Sequence, residues 1–209
     1  MSEPQFRRYT NLAATIHLLR SRAVTLLNPA TWDDRNDAYF MAEYKRLVGA
    51  QTVLALCFAD AVETYHHWRV FSHGSDGICL VFDKDRVLAS FQNEANIRHG
   101  AVTYMELLAI QRMESVRADR LPFLKRYPYR DEKEYRVVYT DHDIAFQARS
   151  YPIDLSSIAR VTLSPWMHSD LANSVRDTLK SIDGCADIPV YRSTLVDNEN
   201  WKALTSRAT

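Results

Sequence analysis

The sequence predicts an α+β fold, with a mixed, mostly antiparallel sheet and flanking helices in a single domain over residues 1–209. A length of 209 residues fits one domain. Apolar strand-like runs and amphipathic segments follow each other irregularly, which favours α+β over a doubly wound parallel sheet. With 46% hydrophobic and 25% charged residues, 5 Gly and 7 Pro, the composition excludes disordered and low-complexity classes.

The first half of the chain is predicted to open with a strand that leads into a helix. The run 6–10 is extended, and Leu12, Ile16 and Leu19 then follow at helical spacing. The strand at 23–29 ends at an Asn-Pro pair, and a polar loop then runs into a helix within 31–46. The remaining elements of this half are strands at 52–59 and 77–83, which are continuous apolar runs, and a short helix at 63–71.

The second half is predicted to mix strands and helices in the same way. A strand at 101–105 precedes an amphipathic helix at 107–116, and 133–140 alternates as a strand does. The last elements are a strand at 159–165, a helix at 171–182 and an edge strand within 186–195, where Pro189 marks the edge.

Charge and cysteine content exclude several classes of protein. Lys+Arg and Asp+Glu are equal at 26 each, so no overall field attracts nucleic acid or anionic lipid. The chain begins without an apolar signal segment and contains no apolar run of about 20 residues, so we expect a cytoplasmic protein. Cys57, Cys79 and Cys185 are too few and too far apart for a zinc site, and we expect the first two to be buried thiols.

The most suggestive local pattern is Glu132-x-Glu134-x-Arg136. The common phosphate-loop, dinucleotide, zinc-protease and hydrolase motifs are absent from the sequence. If 132–139 is a strand, these three side chains share one face, with neighbouring Cα atoms about 6.7 Å apart. Two adjacent carboxyl groups beside a guanidinium can acquire different pKa values and so act as acid and base. The alternative is a solvated strand face whose charges pair across the sheet.

A second acidic group follows the second predicted strand. Asp33, Asp34 and Asp37 lie within five residues, so they are candidates for binding a divalent metal, a cation or a ribose. Acidic residues are also expected where a loop caps a helix. A metal-dependent phosphoesterase or nuclease that uses loop 33–37 together with Glu132 and Glu134 is therefore an alternative function.

Two further clusters of polar side chains are a histidine pair beside Trp68 and an arginine pair on the first strand. His66 and His67 precede Trp68, but adjacent helical residues face different directions, so packing by Trp68 with one exposed histidine is favoured over a metal site. On the first strand, Arg7 and Arg8 face opposite sides, and the one on the core side requires an anion. Either the two glutamates or a phosphate group supplies that anion.

A third function is non-catalytic recognition of a ligand or partner. In this alternative, aromatic residues form a recognition pocket. The candidates are Trp32, Tyr65, Trp68, Tyr127 and Tyr129.

Taken in order, these motifs resemble the bacterial family known as domain of unknown function 2971. The matching segments are Phe6-Arg7-Arg8-Tyr9-Thr10, the loop 32–37, Cys57-Phe58-Ala59, then Trp68, Phe71, Ser72, Gly77 and Phe82, and finally Lys125, Tyr129, Glu132, Glu134 and Arg136. The chain departs from the family pattern at Asp33, Arg35, Asp37 and Ala59. The resemblance implies a DUF2971-like domain over residues 1–209, and the family name implies no activity.

The layout also resembles that of ADP-ribosyltransferases with an Arg, a Ser and a Glu-x-Glu motif. This resemblance implies that NAD is a co-substrate, that Glu134 stabilises the ribosyl oxocarbenium ion, and that Glu132 activates the acceptor. It implies an ADP-ribosyltransferase-like effector or toxin, with Arg8 holding the NAD pyrophosphate or ribose. The candidate NAD-binding residues are Arg8, Tyr9, Thr10, Asp34, Trp68 and Arg136, and no metal is expected. Expected partners are a protein or nucleic-acid acceptor and an antitoxin or activating partner, without a membrane.

Overall fold

The structure is a computed structural model that describes residues 4–72 and 74–208. The described strands are β1 (Gln5–Asn11), β2 (Ala23–Leu27), β3 (Thr52–Ala59), β4 (Gly77–Asp83), β5 (Ile97–Ala101), β6 (Thr103–Met105), β7 (Leu124–Arg126), β8 (Glu134–Asp141), β9 (Ala148–Pro152), β10 (Ile158–Leu163) and β11 (Val190–Arg192). The α-helices are α1 (Leu12–Ser21), α2 (Arg35–Leu47), α3 (Tyr65–Phe71), α4 (Lys84–Ala89), α5 (Leu107–Gln111), α6 (Ser169–Lys180) and α7 (Glu199–Lys202). Two 3₁₀ turns, Ala118–Phe123 and Tyr127–Glu132, flank β7.

The chain forms two compact units. The first contains the described residues of 4–22, 62–84 and 154–208, and the second contains residues 23–61 and 85–153. Each unit is therefore assembled from separate stretches of sequence. The prediction of a single domain over 1–209 stays a prediction.

The first unit is organised around the strand order β11-β10-β4-β1. Strand β4 pairs antiparallel with both β1 and β10, and β11 pairs parallel with β10 at the edge. Every residue of β4 except Asp83 is buried, because apolar side chains occupy both faces of this central strand. Helix α1 begins at the cap Asn11, whose side chain accepts a hydrogen bond from the Ala14 amide.

The second unit contains the strand order β5-β8-β3-β2-β9, in which every pairing is antiparallel. Strands β6 and β7 form a separate parallel pair. Strand β3 is apolar after Thr52 and pairs with β8 over eight positions, so that Ala59 lies opposite Glu134 and Cys57 opposite Arg136. The mixed, mostly antiparallel α+β architecture predicted from the sequence is confirmed.

Most predicted elements are present, but two differ. The strands at 52–59 and 77–83 are confirmed, and the edge position of the last strand is confirmed by β11. The predicted helix at 107–116 is wrong beyond residue 111, and its apolar residues Leu107 and Leu108 are 54% and 64% exposed. The strand predicted at 133–140 is β8, but the extended face supposed for 132–139 begins only at Glu134, because Glu132 ends a 3₁₀ turn.

The structure also bears on the expected burial of the cysteines and on the expected absence of a membrane span. Cys57, Cys79 and Cys185 are all free, with Cys79 buried as expected and Cys57 partly buried. Among residues 4–72 and 74–208, no helix combines the length and the apolar character needed to span a bilayer.

Candidate functional site

Five charged side chains of the second unit converge on one point and are called here the carboxylate cluster. Its members are Asp37, Lys125, Glu132, Glu134 and Arg136. They come from helix α2, strand β7, the 3₁₀ turn 127–132 and strand β8. Their side chains are at most 9% exposed. The cluster is therefore an arrangement of ionisable groups with little exposure to solvent.

The Arg136 guanidinium lies at the centre of the carboxylate cluster and uses all five of its N–H groups. Nε and Nη2 donate to Glu134 Oε1 and Oε2 at 2.7 and 2.8 Å. Nη1 and Nη2 donate to the two oxygens of Asp37, the former at 2.8 Å, and Nη1 also donates to the Pro122 carbonyl at 2.9 Å. The Trp32 ring covers the guanidinium carbon at 4.9 Å. Two bidentate pairs and a stacked ring hold Arg136 rigidly.

The ammonium group of Lys125 joins the three carboxylates. Its Nζ lies 2.6 Å from Glu132 Oε2, 3.1 Å from Glu134 Oε2 and 3.5 Å from Asp37 Oδ2. It also lies over the Tyr129 ring at 4.9 Å. Lys125 is therefore a cation that all three carboxylates share.

Glu132 joins the carboxylate cluster from a 3₁₀ turn and not from a strand. It ends the 3₁₀ turn, and Lys133 then adopts a left-handed conformation with φ of 44°. The Lys133 carbonyl accepts a hydrogen bond from the Asp60 amide at 2.8 Å, which fixes this turn. The predicted shared strand face is thus confirmed for Glu134 and Arg136, but Glu132 converges on them through a turn.

The acidic loop divides between two roles. Asp34 caps helix α2, since its Oδ1 accepts the amides of Asn36 and Asp37 at 3.0 and 3.4 Å. Asp33 is exposed, whereas Asp37 points into the carboxylate cluster. Asp34 Oδ2 is buried and has no hydrogen-bond partner in the described part of the chain. A role for Asp34 in binding NAD stays a prediction.

The two neighbouring glutamates have opposite pKa shifts. Burial alone would raise the pKa of Glu134, but the contacts from Arg136 and Lys125 outweigh burial and lower it from 4.5 to about 2. For Glu132, burial raises the pKa above its ordinary value despite the contact from Lys125. The surroundings of the two carboxyl groups thus shift their pKa values in opposite directions, and their roles as acid and base stay a prediction.

The carboxylate cluster carries an excess of negative charge. Three carboxylates face two cations, and burial also raises the pKa of Asp37 against the opposing effect of Arg136. In a site with little water, such an excess favours an additional proton or a nearby cation. The cluster is therefore suited to stabilising positive charge.

Within the described residues, no metal site accompanies this excess of negative charge. Among the residues that the structure describes, no group of three or more His, Cys, Asp or Glu side chains is arranged to hold a metal ion. The carboxylates proposed as metal ligands instead form ion pairs with cations of the chain: Glu132 and Glu134 with Lys125, and Asp37 with Arg136. The alternative of a metal-dependent phosphoesterase gains no site in this part of the chain.

The remaining predicted NAD-binding residues lie in the first unit. Arg8, Tyr9 and Thr10 are half-buried on β1. The Tyr9 ring stacks on His67 and meets Trp68 edge-on, at centroid distances of 5.5 and 5.2 Å. Their roles toward NAD, and the convergence of Arg8 with Glu134, stay predictions.

Trp68 itself is fully buried in helix α3. Its indole Nε1 donates to Glu63 Oε1 at 2.6 Å, and the same oxygen accepts from the Ser193 hydroxyl. His67 is buried with its Nδ1 within 2.6 Å of Thr64 Oγ1, whereas His66 is exposed. Packing by Trp68 with one exposed histidine is confirmed.

The aromatic residues of the recognition alternative mostly lie against cations of their own chain. Trp32 covers Arg136, and Tyr129 lies under Lys125. Tyr127 and Tyr65 contact Arg130 and Arg69 at 4.5 and 5.2 Å. These rings therefore contact cations within the chain, and the recognition alternative stays a prediction.

The chain is similar to DarT. Three structures of Thermus sp. 2.9 DarT match it with TM-scores of 0.48, 0.46 and 0.47, in complex with ADP-ribosylated ssDNA, NAD+ and carba-NAD+ respectively. Identity is 9–10%, and coverage is 91–92% of this chain and 94–97% of DarT. No family model and no curated protein matches the chain, so membership of the DUF2971 family stays a prediction.

Of the carboxylate cluster, Lys125 is not among the candidate catalytic, binding or metal residues that the sequence indicates, and Asp37 is a candidate only as one acid of the loop 33–37. Lys125 is seven residues before Glu132 in the same segment, and its position in the resemblance to the DUF2971 family was the available signal. Asp37 lies 99 residues before Arg136. Local spacing contains no information about a pairing at that distance, so a single sequence could only suggest Asp37 as one acid of a loop.

Proposed function

We propose that this protein transfers ADP-ribose from NAD+ or cleaves NAD+, with Glu134 as the catalytic carboxylate. The observation that carries the proposal is the buried Glu134 carboxylate, held ionised by Arg136 and Lys125 in a cluster with one excess negative charge. The proposal rests on these contacts.

The reaction places positive charge where a carboxylate helps most. The bond between nicotinamide and the ribose C1′ breaks, and its electron pair leaves with neutral nicotinamide, so positive charge develops on the ribose. A fixed carboxylate in a site with little water stabilises that transition state more than the ground state. Glu134 requires no reorientation to do so, because Arg136 already holds both of its oxygens.

Glu132 is the proposed base for the acceptor. The acceptor forms a bond to C1′ and loses a proton, which Glu132 takes up. Burial raises the pKa of Glu132 above its usual range, so its carboxylate is a better proton acceptor than Glu134. A ligand at this site must compete with Lys125, whose ammonium contacts both glutamates.

Arg136 has a supporting role in this proposal. Every N–H of its guanidinium is used inside the second unit, so we assign it to holding Glu134 and not to binding NAD+. Arg8 on β1 remains the proposed ligand for the pyrophosphate or ribose, because a guanidinium binds phosphate oxygens with two parallel hydrogen bonds.

The experiment measures nicotinamide release from NAD+ by the purified chain, alone and with candidate acceptors. Because Thermus DarT is described with NAD+ and with ADP-ribosylated ssDNA, NAD+ is the first donor and single-stranded DNA the first acceptor to use. We expect Glu134→Gln to lower release by a factor of about 10² to 10³. Glu132→Gln should lower transfer to the acceptor more than release.

A matched control separates this effect from a change in surface charge. Glu43 lies on the surface of α2 and pairs with Arg46 at 2.8 Å, so Glu43→Gln also removes an acid that is paired with an arginine. It should release nicotinamide at the wild-type rate. Absence of release with every acceptor, or equal rates for wild type and a folded Glu134→Gln protein, removes the proposal.

The effector or toxin role follows only if NAD+ is consumed or an essential acceptor is modified. Expression of the wild-type chain should then slow growth, and Glu134→Gln should restore it. A saturable ligand without any turnover would instead favour the recognition alternative.

A further inference from the structure

We propose that Asp37 is a positioning residue for this reaction: its carboxylate holds the Arg136 guanidinium in the orientation that fixes Glu134. The inference deepens the proposed function and rests on it. Asp37 is not a catalytic residue in this account, because it acts on the reacting carboxylate only through Arg136.

The geometry shows a relay of two bidentate pairs. One edge of the planar guanidinium, Nε and Nη2, faces Glu134, and the other edge, Nη1 and Nη2, faces Asp37. A planar group with both edges engaged has no freedom to rotate. Without Asp37, two N–H groups of a fully buried side chain would lose their acceptor, and the guanidinium would turn to find another one.

Helix packing sets the position of Asp37. Its helix has one buried face formed by Asp37, Met41 and Tyr44, at positions i, i+4 and i+7. Met41 and Tyr44 pack in the core of the second unit with Val53 and Val138 of the neighbouring strands. The carboxylate of Asp37 is therefore placed by the core itself and transmits that position to Arg136.

The sign of the charge on Asp37 makes the relay testable. The negative charge of Asp37 raises the pKa of Glu134 by direct repulsion. If this repulsion were its only effect, removal of Asp37 would lower the pKa of Glu134 further. Loss of the positioning contact would instead loosen Arg136 and raise the pKa of Glu134. The two explanations thus predict opposite shifts for the same substitution.

Several titratable or charged side chains face Glu134 and affect its pKa. The groups are Arg136 on β8, Asp37 on α2, Lys125 on β7, Glu132 in the 3₁₀ turn, Cys57 on β3 and Tyr104 on β6. The Tyr104 hydroxyl accepts a hydrogen bond from the backbone N–H of Glu134. Cys57 stays protonated at neutral pH because burial raises its pKa well above the usual value. Only Asp37 and Glu132 add negative charge near Glu134 within this set.

The experiment compares Asp37→Asn with wild type and with Glu43→Gln. The first measurement is the ¹³C resonance of the Glu134 carboxyl group in selectively labelled protein, followed as the pH is lowered and assigned with Glu134→Gln. We expect this carboxyl group to protonate at a higher pH in Asp37→Asn than in wild type and Glu43→Gln. Protonation of Glu134 at the wild-type pH or at a lower pH in folded Asp37→Asn overturns the inference.

The second measurement is steady-state nicotinamide release. We expect Asp37→Asn to lower kcat by a factor of about 10 to 10² while KM for NAD+ changes less than about threefold, because misplacement of a catalytic group affects the chemical step. Wild-type kcat in folded Asp37→Asn overturns the inference. If wild type releases no nicotinamide at all, the proposed function fails, and the carboxyl resonance still decides whether Asp37 positions Glu134.

A second variant covers the case in which Asp37→Asn does not fold. Asp37→Glu keeps the negative charge but moves the carboxylate by one methylene group, so it displaces Arg136 without changing the net charge. We expect a raised pKa for Glu134 and a lower kcat at similar KM. An unchanged Glu134 resonance in this variant contradicts the relay.

Discussion

Replacement of Arg136 by methionine should be the most damaging single change to the carboxylate cluster. The methionine side chain fills much of the same volume but leaves Asp37 and Glu134 without their bidentate partner. Breaking one buried ion pair typically costs about 3–5 kcal/mol, because the remaining charge stays buried without compensation. Arg136 pairs with two carboxylates and is 0% exposed, so we expect a loss of at least about 4 kcal/mol at pH 7.

The assay is urea denaturation followed by circular dichroism at pH 7 and at pH 4. Without Arg136, protonation of Asp37 and Glu134 neutralises the unpaired charges, so the loss relative to wild type should be smaller at pH 4. Arg46→Met is the control, since the Arg46–Glu43 pair on α2 is at the surface, and its loss should be below about 1 kcal/mol. A loss below about 1 kcal/mol for Arg136→Met, or a loss that is larger at pH 4 than at pH 7, would refute this reasoning.

Three further perturbations test other parts of the structure. The pKa of Glu134 is lowered in the folded protein, so its ionised form adds about 3 kcal/mol to the free energy of unfolding. This contribution is present above pH 4.5 and is lost as the pH falls toward about 2. Glu134→Gln should therefore flatten this part of a plot of the free energy of unfolding against pH. Lys133 has a φ of 44°, so Lys133→Gly should melt at or above the wild-type temperature, whereas Lys133→Val should lose about 1–2 kcal/mol in a thermal melt; equal melting of the two variants would contradict the left-handed turn. Trp68→Ala should cost about 3–5 kcal/mol and Trp68→Phe about 1–3 kcal/mol, since the latter loses only the hydrogen bond to Glu63 and a little volume; chemical denaturation that ranks the two variants the other way would contradict the buried packing of Trp68.

The sequence was informative where local periodicity decides structure. The continuous apolar runs at 52–59 and 77–83 have the length and composition of buried strands, and both are observed at those bounds. Alternation also placed Glu134 and Arg136 on one face of β8, where they pair. These predictions succeeded because side chains two residues apart on a strand share a face in any tertiary context.

Local reasoning failed where contacts from distant segments decide structure. The amphipathic pattern at 107–116 predicts a helix of ten residues, but no core surface covers it and only five residues are helical. Lys133 occupies a left-handed turn that a glycine would have signalled, so the turn between the two glutamates was not foreseen. The pairing of Asp37 with Arg136 depends on how α2 packs on the sheet, which no local pattern specifies.

The most direct test of the account combines binding and turnover in one folded variant. Calorimetry with NAD+ and nicotinamide release should be measured on wild-type protein and on Glu134→Gln protein that melts cooperatively. We expect a dissociation constant for NAD+ that is similar in both proteins and a kcat that is at least about 100-fold lower in the variant, because Glu134 acts on charge that appears only as nicotinamide leaves. Equal kcat values in the two proteins would contradict the assignment of Glu134 as the catalytic carboxylate.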